Sequence, residues 1–259
     1  MKPVLLSFGK LHVYAYGMMI AIGIIAAIYY MEKRAPKYGM DSDSAFSMAL
    51  CAAISGIVGA KVLYLITVLP QLLADPSAIT MYLSSGFVVF GGIIGGILSC
   101  MLYARHKKWN FIKYYDLFMP SIAMAQGFGR IGCFMAGCCY GRQTDSCFSV
   151  TFPADPFSQA PAGIALIPTQ LISSCLNFIN CILLSIYARH SKKDGRVGAL
   201  YLILYSIGRF IIEFYRGDDR GAIGFLSTSQ FIALLGFAVG IIIFVVPLGH
   251  SRQEDRGAI

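Results

Sequence analysis

The chain has little charge. Only 13% of its 259 residues are Asp, Glu, Lys or Arg, against about a quarter in a soluble domain. With 57% hydrophobic residues, that scarcity excludes an ordinary water-soluble globule. Segments of about ten residues with alternating polarity are missing too, which excludes a transmembrane β-barrel. No low-complexity tract, clear repeat or separate soluble domain interrupts the pattern. A cleavable leader is not expected, because the first apolar run is long, contains Tyr and Met, and leads directly into a basic cluster, as an integral span does.

What is present is a series of apolar runs of roughly 18–25 residues, a length suited to about 30 Å of hydrocarbon. Seven spans are expected, at about 13–31, 45–69, 86–104, 115–135, 167–188, 197–215 and 227–247. Lys33, Arg34 and Lys37 follow the first, and Arg105, Lys107, Lys108 and Lys113 the third. Arg189, Lys192, Lys193 and Arg196 follow the fifth, and Arg252 and Arg256 the seventh. The connection after the second span has no basic residue. By the positive-inside rule the N-terminus is outside and the C-terminus cytoplasmic. The expected class is therefore all-α: a polytopic membrane protein with seven transmembrane helices. It forms one transmembrane domain over residues 1–259, with a small extracytoplasmic cap at about 140–166. The net charge of +8 becomes a topology signal, and no nucleic-acid partner is expected from basic residues held in separate short loops.

The segment Gly129–Gly141, GRIGCFMAGCCYG, sets one arginine, three cysteines and four glycines at the end of an apolar run. A guanidinium cannot discard its charge there, so an anionic group such as a lipid phosphate is its expected partner. The density of glycines beside Arg130 points to exposed backbone or an irregular helix end. Cys133, Cys138, Cys139 and Cys147 cluster at the outer end of the fourth span. Their pattern, C-x4-CC-x7-C, matches no strong zinc spacing, and disulfide, metal ligation and unpaired thiols all remain open. Cys51, Cys100, Cys175 and Cys181 are expected as packing residues.

Two other basic residues fall within spans. Lys61 follows a face of small residues, Ala53, Gly56, Gly59 and Ala60, which lets another helix approach closely. It reads as a snorkelling lysine or a partner for one carboxylate. Arg209 and Glu213 are four apart and share a helix face, with Arg216 continuing the stripe. Arg130, Arg209, Arg216 and Glu213 together carry excess positive charge suited to bidentate contacts with a phosphate. Gly91-Gly92-Ile93-Ile94-Gly95-Gly96 marks a thin helix surface, and Tyr16-Gly17 offers a phenol to the same cavity.

These motifs resemble those of the prolipoprotein diacylglyceryl transferases. Tyr16-Gly17 is similar to the family's Y-G, and Phe90-Gly91-Gly92-x-x-Gly95 to its H-G-G-x-x-G. Gln126-x-x-Gly129-Arg130-x-Gly132-Cys133-Phe134 resembles Q-x-x-G-R-x-G-N-F, and Pro168-Thr169-Gln170-Leu171 resembles the core of H-P-T-Q-L-Y. Gly208-Arg209-Phe210-x-x-Glu213-Phe214-x-Arg216 resembles R-F-x-x-E-F-x-R. The family pattern has polar residues where this chain has Phe90, Cys133, Ala136, Cys138, Ile167 and Ile172.

The resemblance implies an enzyme of a bacterial plasma (inner) membrane that moves diacylglycerol from phosphatidylglycerol to the thiol of a prolipoprotein lipobox cysteine. Its partners would be phosphatidylglycerol, the prolipoprotein signal peptide and the lipid bilayer, with no cofactor and no metal. Tyr16, Arg130 and Arg209 are the implied catalytic residues. Gln126, Gly129, Arg130, Gly132, Cys133, Gly137, Gly141, Glu213 and Arg216 are the implied substrate-binding ones. With Phe90 in place of histidine, Tyr16, His12 or water must take the acceptor's proton. Two alternatives stay open: a lipid-modifying enzyme that uses its own cysteines, and a non-enzymatic transporter or binder of anionic lipid.

Overall fold

The computed structural model describes residues 3–8, 11–84, 86–191, 193–218 and 221–246. Lys192, Arg252 and Arg256 of the topology argument lie outside them. In chain order the elements are β1 (Val4–Phe8), β2 (Leu11–Tyr14), α1 (Ala15–Arg34), α2 (Ser42–Thr67), α3 (Leu69–Ala74), α4 (Ile79–Ser84), α5 (Val89–His106) and α6 (Phe111–Met135). Then come β3 (Val150–Thr151), β4 (Ala165–Leu166), α7 (Thr169–His190), α8 (Arg196–Glu213), β5 (Ala222–Ile223), β6 (Leu226–Ser227) and α9 (Thr228–Val245). Each expected span coincides with a long helix, and among the described residues five helices are long and apolar enough to cross a membrane: α1, α2, α5, α7 and α9. Three antiparallel strand pairs, β1–β2, β3–β4 and β5–β6, are additions that apolar run lengths do not announce.

The chain forms two compact units, Met31–Phe111 and a second made of Met1–Tyr30 with Ile112–Ile259. In the first, α2 and α5 pack glycine against glycine. A Cβ on Gly59 would strike the Gly91 carbonyl, and a Cβ on Gly91 would strike that of Gly59. With little hydrophobic drive between helices in lipid, such close backbone contact supplies the packing energy. Lys61 donates to the carbonyls of Tyr82 at 3.0 Å and Gly86 at 3.1 Å and lies over the Phe87 ring. Its ammonium is thus held by backbone dipoles and an aromatic face.

In the second unit, α6, α7 and α8 share one core. Met119 and Ala123 meet Cys181, Leu184, Val197 and Tyr201 there. The start of α8 is set by Asp116, which is fully buried on α6 and accepts from the amides of Gly195 and Gly198, both at 2.9 Å. The carboxylate satisfies two orphan N–H groups and complements the positive end of the helix dipole. Asp116→Ala is therefore expected to cost about 2 kcal/mol, read as a melting temperature lower by ~6 °C. An unchanged melting curve would mean that α8 needs no such cap.

The segment of about 140–166 carries its own small core, with Phe152 only 1% exposed against Ala160 and Leu166. The end of α6, the turn after it and the adjoining ends of α7 and α8 build the candidate site.

Candidate functional site

At its C-terminus α6 is closed by a Schellman turn. The Cys138 amide donates to the Cys133 carbonyl at 3.1 Å and the Gly137 amide to the Phe134 carbonyl at 3.3 Å. Gly137 takes the left-handed conformation this turn needs (φ 66°). Two residues later Cys139 is also left-handed (φ 62°), a conformation that strains a residue with a Cβ. The two reversals fold Cys138 and Cys139 back over the last helical turn. As a result the sulfurs of Cys133, Cys138 and Cys139 all lie within 4.8 Å of one another. The Cys138 thiol also points at the Cys133 carbonyl, 3.6 Å away.

The start of α7 clamps this turn. The Thr169 hydroxyl donates to the Cys139 carbonyl and the Gln170 amide to the Cys138 carbonyl, both at 2.9 Å. Both side chains belong to fully buried residues, so these bonds are shielded from water. Downstream, residues 140–142 run between the chain at Ile167 and the end of α8. Arg142 donates its amide to Tyr215, and Gly217 donates to Tyr140. A Cβ on Gly141 would meet the Ile167 backbone and Thr169, so only glycine fits this seam. The pairing of Gly141 with Arg216 sets the Arg216 guanidinium beside Cys139. The Cys133 and Cys138 thiols, then Arg216, hold the Cys139 thiol below the ordinary thiol range, with burial opposing.

The charges form a graded set. Arg209 pairs with Glu213 at 2.6 Å, slightly off hydrogen-bond alignment, and donates to Ser229 at 2.7 Å. Arg216 grips Asp218 with two bonds of 2.7 and 2.6 Å. Arg130, half-buried near the end of α6, has no carboxylate partner among the described residues. Its charge is felt by Tyr16, Cys133, Arg209 and Arg216, and it interacts with Tyr205 and Cys139. Among the described residues three guanidiniums thus face two carboxylates, with the Cys139 thiol beside them.

The sequence-derived residues assemble unevenly. Tyr16, Arg130, Cys133, Arg209, Glu213 and Arg216 come together within one unit. Gly132 makes room for this, since a Cβ there would press on Met19 and the Tyr16 ring at 3.2 Å. Gly137 and Gly141 serve the turn and the seam, and Gly129 has no neighbour within 4 Å of a Cβ position. Gln126 instead uses its carbonyl to accept from Tyr201 at 3.0 Å, tying α6 to α8. His12, on β2, contacts Ser7 and Tyr14 of the β1–β2 pair and Phe157 of the 140–166 segment. Phe90 lies in the first turn of α5 in the other unit, half exposed. Thr169 and Gln170, quoted from sequence only as part of a family motif, and Tyr205 and Asp218, not singled out at all, join the site. Beside the thiols, a cavity of about 420 Å³ is lined by Tyr14, Tyr16, Gly17, Ala136, Cys138 and Phe157, among others.

A family model described as prolipoprotein diacylglyceryl transferase matches residues 3–246. A phosphatidylglycerol–prolipoprotein diacylglyceryl transferase of Clostridium tetani (strain Massachusetts / E88) is 48% identical over 244 residues, covering 94% of this chain and 97% of the relative. A second enzyme of that name, from Clostridium perfringens (strain 13 / Type A), is 44% identical over 98% of both chains. One from Dehalococcoides mccartyi (strain CBDB1) is 33% identical over 98% of this chain and 96% of its own. With that model matching almost the whole chain and relatives 33–48% identical along it, this chain belongs to the prolipoprotein diacylglyceryl transferase family.

Proposed function

We propose that the chain transfers a diacylglyceryl group from phosphatidylglycerol to the cysteine thiol of a prolipoprotein, at the outer face of a bacterial inner membrane. The observation that carries this reading is Arg130, which has no carboxylate partner among the described residues, beside the paired Arg209 and Arg216. The positive charge of Arg130 suits one phosphodiester. A guanidinium also presents two parallel donors to it.

The acceptor sulfur attacks the glyceryl carbon that bears the phosphate ester. A C–S bond forms, the C–O bond breaks, and its electron pair leaves with glycerol phosphate, which gains one negative charge. Donors held in place against that growing charge lower the barrier, and Arg130 is the group available for the task. Glu213 and Asp218 fix the orientations of Arg209 and Arg216, so little reorganisation is needed during reaction. The 420 Å³ cavity beside Tyr16 and Cys138 offers space for the acceptor segment or a lipid chain. The functional topology is seven spans with the N-terminus outside, and the 140–166 segment caps the site on that side. The signal peptide and both acyl chains reach it from the bilayer.

The test is transfer by the chain reconstituted with phosphatidylglycerol labelled in its acyl chains and a lipobox peptide. A labelled peptide thioether is expected, and maturation of lipoproteins should return in a cell lacking its own transferase. No labelled peptide under any condition sinks the proposal. If label appears on the chain instead, its own cysteines are the acceptors.

A further inference from the structure

We propose that Cys133, Cys138 and Cys139 bind one zinc-type divalent cation, whose fourth position takes the acceptor thiol and activates it for alkylation. The activating role rests on the transferase reading; the metal site does not.

The first argument is geometric. Three sulfurs on one tetrahedral zinc ion, at about 2.3 Å each, stand about 3.8 Å apart. Here all three lie within 4.8 Å of one another, about 1 Å from that spacing. Sequence spacing hides it, because the ligands are gathered by a Schellman turn and a left-handed Cys139 rather than by a regular knuckle. A left-handed residue with a side chain costs energy, and such strain collects at functional sites. Thr169 and Gln170 hold the two carbonyls of this turn from the buried start of α7, which fixes the ligand-bearing backbone before any ion arrives.

The second argument is the fourth position. Three protein ligands with an open site is the arrangement of catalytic rather than structural zinc. Cys138 lines the 420 Å³ cavity, so a ligand entering there can reach an ion on the three sulfurs. The cavity wall includes no His, Asp or Glu among the described residues. Among the described residues of the wall, a peptide thiol arriving in it meets, apart from Cys138 itself, only phenols and an amide as side-chain proton acceptors. Coordination to a divalent cation deprotonates a thiol outright, which supplies what the wall lacks.

The third argument is charge. Three thiolates on a divalent ion leave one net negative charge, and Arg216, which interacts with Cys139, faces it. That excess electron density keeps a fourth, coordinated thiolate nucleophilic. On binding, the acceptor thiol gives its proton to water. Its sulfur then forms the bond to the glyceryl carbon, the electron pair of the broken C–O bond leaves with glycerol phosphate, and the thioether product, a weak ligand, departs.

The full-length protein in detergent, reduced and metal-free, is titrated with Cd2+ and followed by thiolate-to-metal charge-transfer absorption. One ion per chain is expected, with affinity at least tenfold lower in Cys133→Ser or Cys139→Ser and unchanged in Cys175→Ser, which removes a thiol from the exposed face of α7. No absorption in the wild-type protein, or absorption that survives replacement of all three cysteines, overturns the site. A Co2+ form then reports the fourth position: its spectrum should shift on adding a lipobox cysteine peptide and not a serine peptide. Equal transfer by zinc-loaded and chelated protein overturns the activating role while leaving the transferase reading intact. Metal binding without transfer under any condition overturns the transferase reading and leaves the metal site standing.

Discussion

Arg130→Gln is expected to lower diacylglyceryl transfer by two to three orders of magnitude, the effect of deleting a donor aimed at developing charge (about 10²–10³). The reason lies in how the three arginines are occupied. Arg209 is committed to Glu213 and Ser229, and Arg216 to Asp218. Arg130 alone of the three has no carboxylate partner among the described residues, so a lipid phosphate is its natural counterion. Glutamine keeps the length and a donor but loses the charge and the forked geometry.

The kinetic signature separates two roles. If Arg130 only holds the head group, KM rises and kcat stays. If it stabilises the departing glycerol phosphate, kcat falls as well, and this is the expected result. Arg130→Lys should recover part of the loss, because it keeps the charge without the bidentate contact. Melting should be nearly unchanged in both variants, since no ion pair among the described residues is broken. Transfer at the wild-type rate in Arg130→Gln would remove the arginine from the mechanism.

How much of this was legible in the sequence follows from the range of the forces involved. The positions of the long helices could be read because apolar runs are continuous in sequence, and each expected run coincides with a helix. The Gly56/Gly59 face could be read because helix packing in lipid rewards small residues at helical spacing, although its partner, the Gly91 surface of α5, came only with the fold. Arg209 and Glu213 were legible as an i,i+4 pair. The two-residue strand pairs β3–β4 and β5–β6 were not, since so short a segment has no usable period. The thiol cluster was half legible. Its cysteines were conspicuous, but their convergence depends on the backbone signs of Gly137 and Cys139 and on clamps thirty residues away at Thr169 and Gln170. The capping of α8 by Asp116, across 79 residues, belongs to the same class of long-range contact that no local pattern encodes.

Glu213→Leu is expected to be the most destabilising single change in the charged set. The Arg209 and Glu213 side chains are 12% and 6% exposed, so the pair is largely withdrawn from water. Removing one member leaves the other charge uncompensated in a low dielectric, at a cost of about 3–5 kcal/mol. For a chain of this length that is a fall of ~10 °C in melting temperature, and a large part of a stability of roughly 5–15 kcal/mol. The double change Arg209→Met with Glu213→Leu should recover most of the loss, because paired buried charges are stabilising mainly relative to half-pairs. Transfer should not recover with it, since the double variant removes one of the guanidiniums gathered around the proposed phosphate position. The split carries the argument: stability restored without activity places the pair in the lipid site. If the double variant regains both, Arg209 and Glu213 serve only to hold α8 in place. If Glu213→Leu melts like the wild type, water already reaches the pair and the low-dielectric account of the site fails.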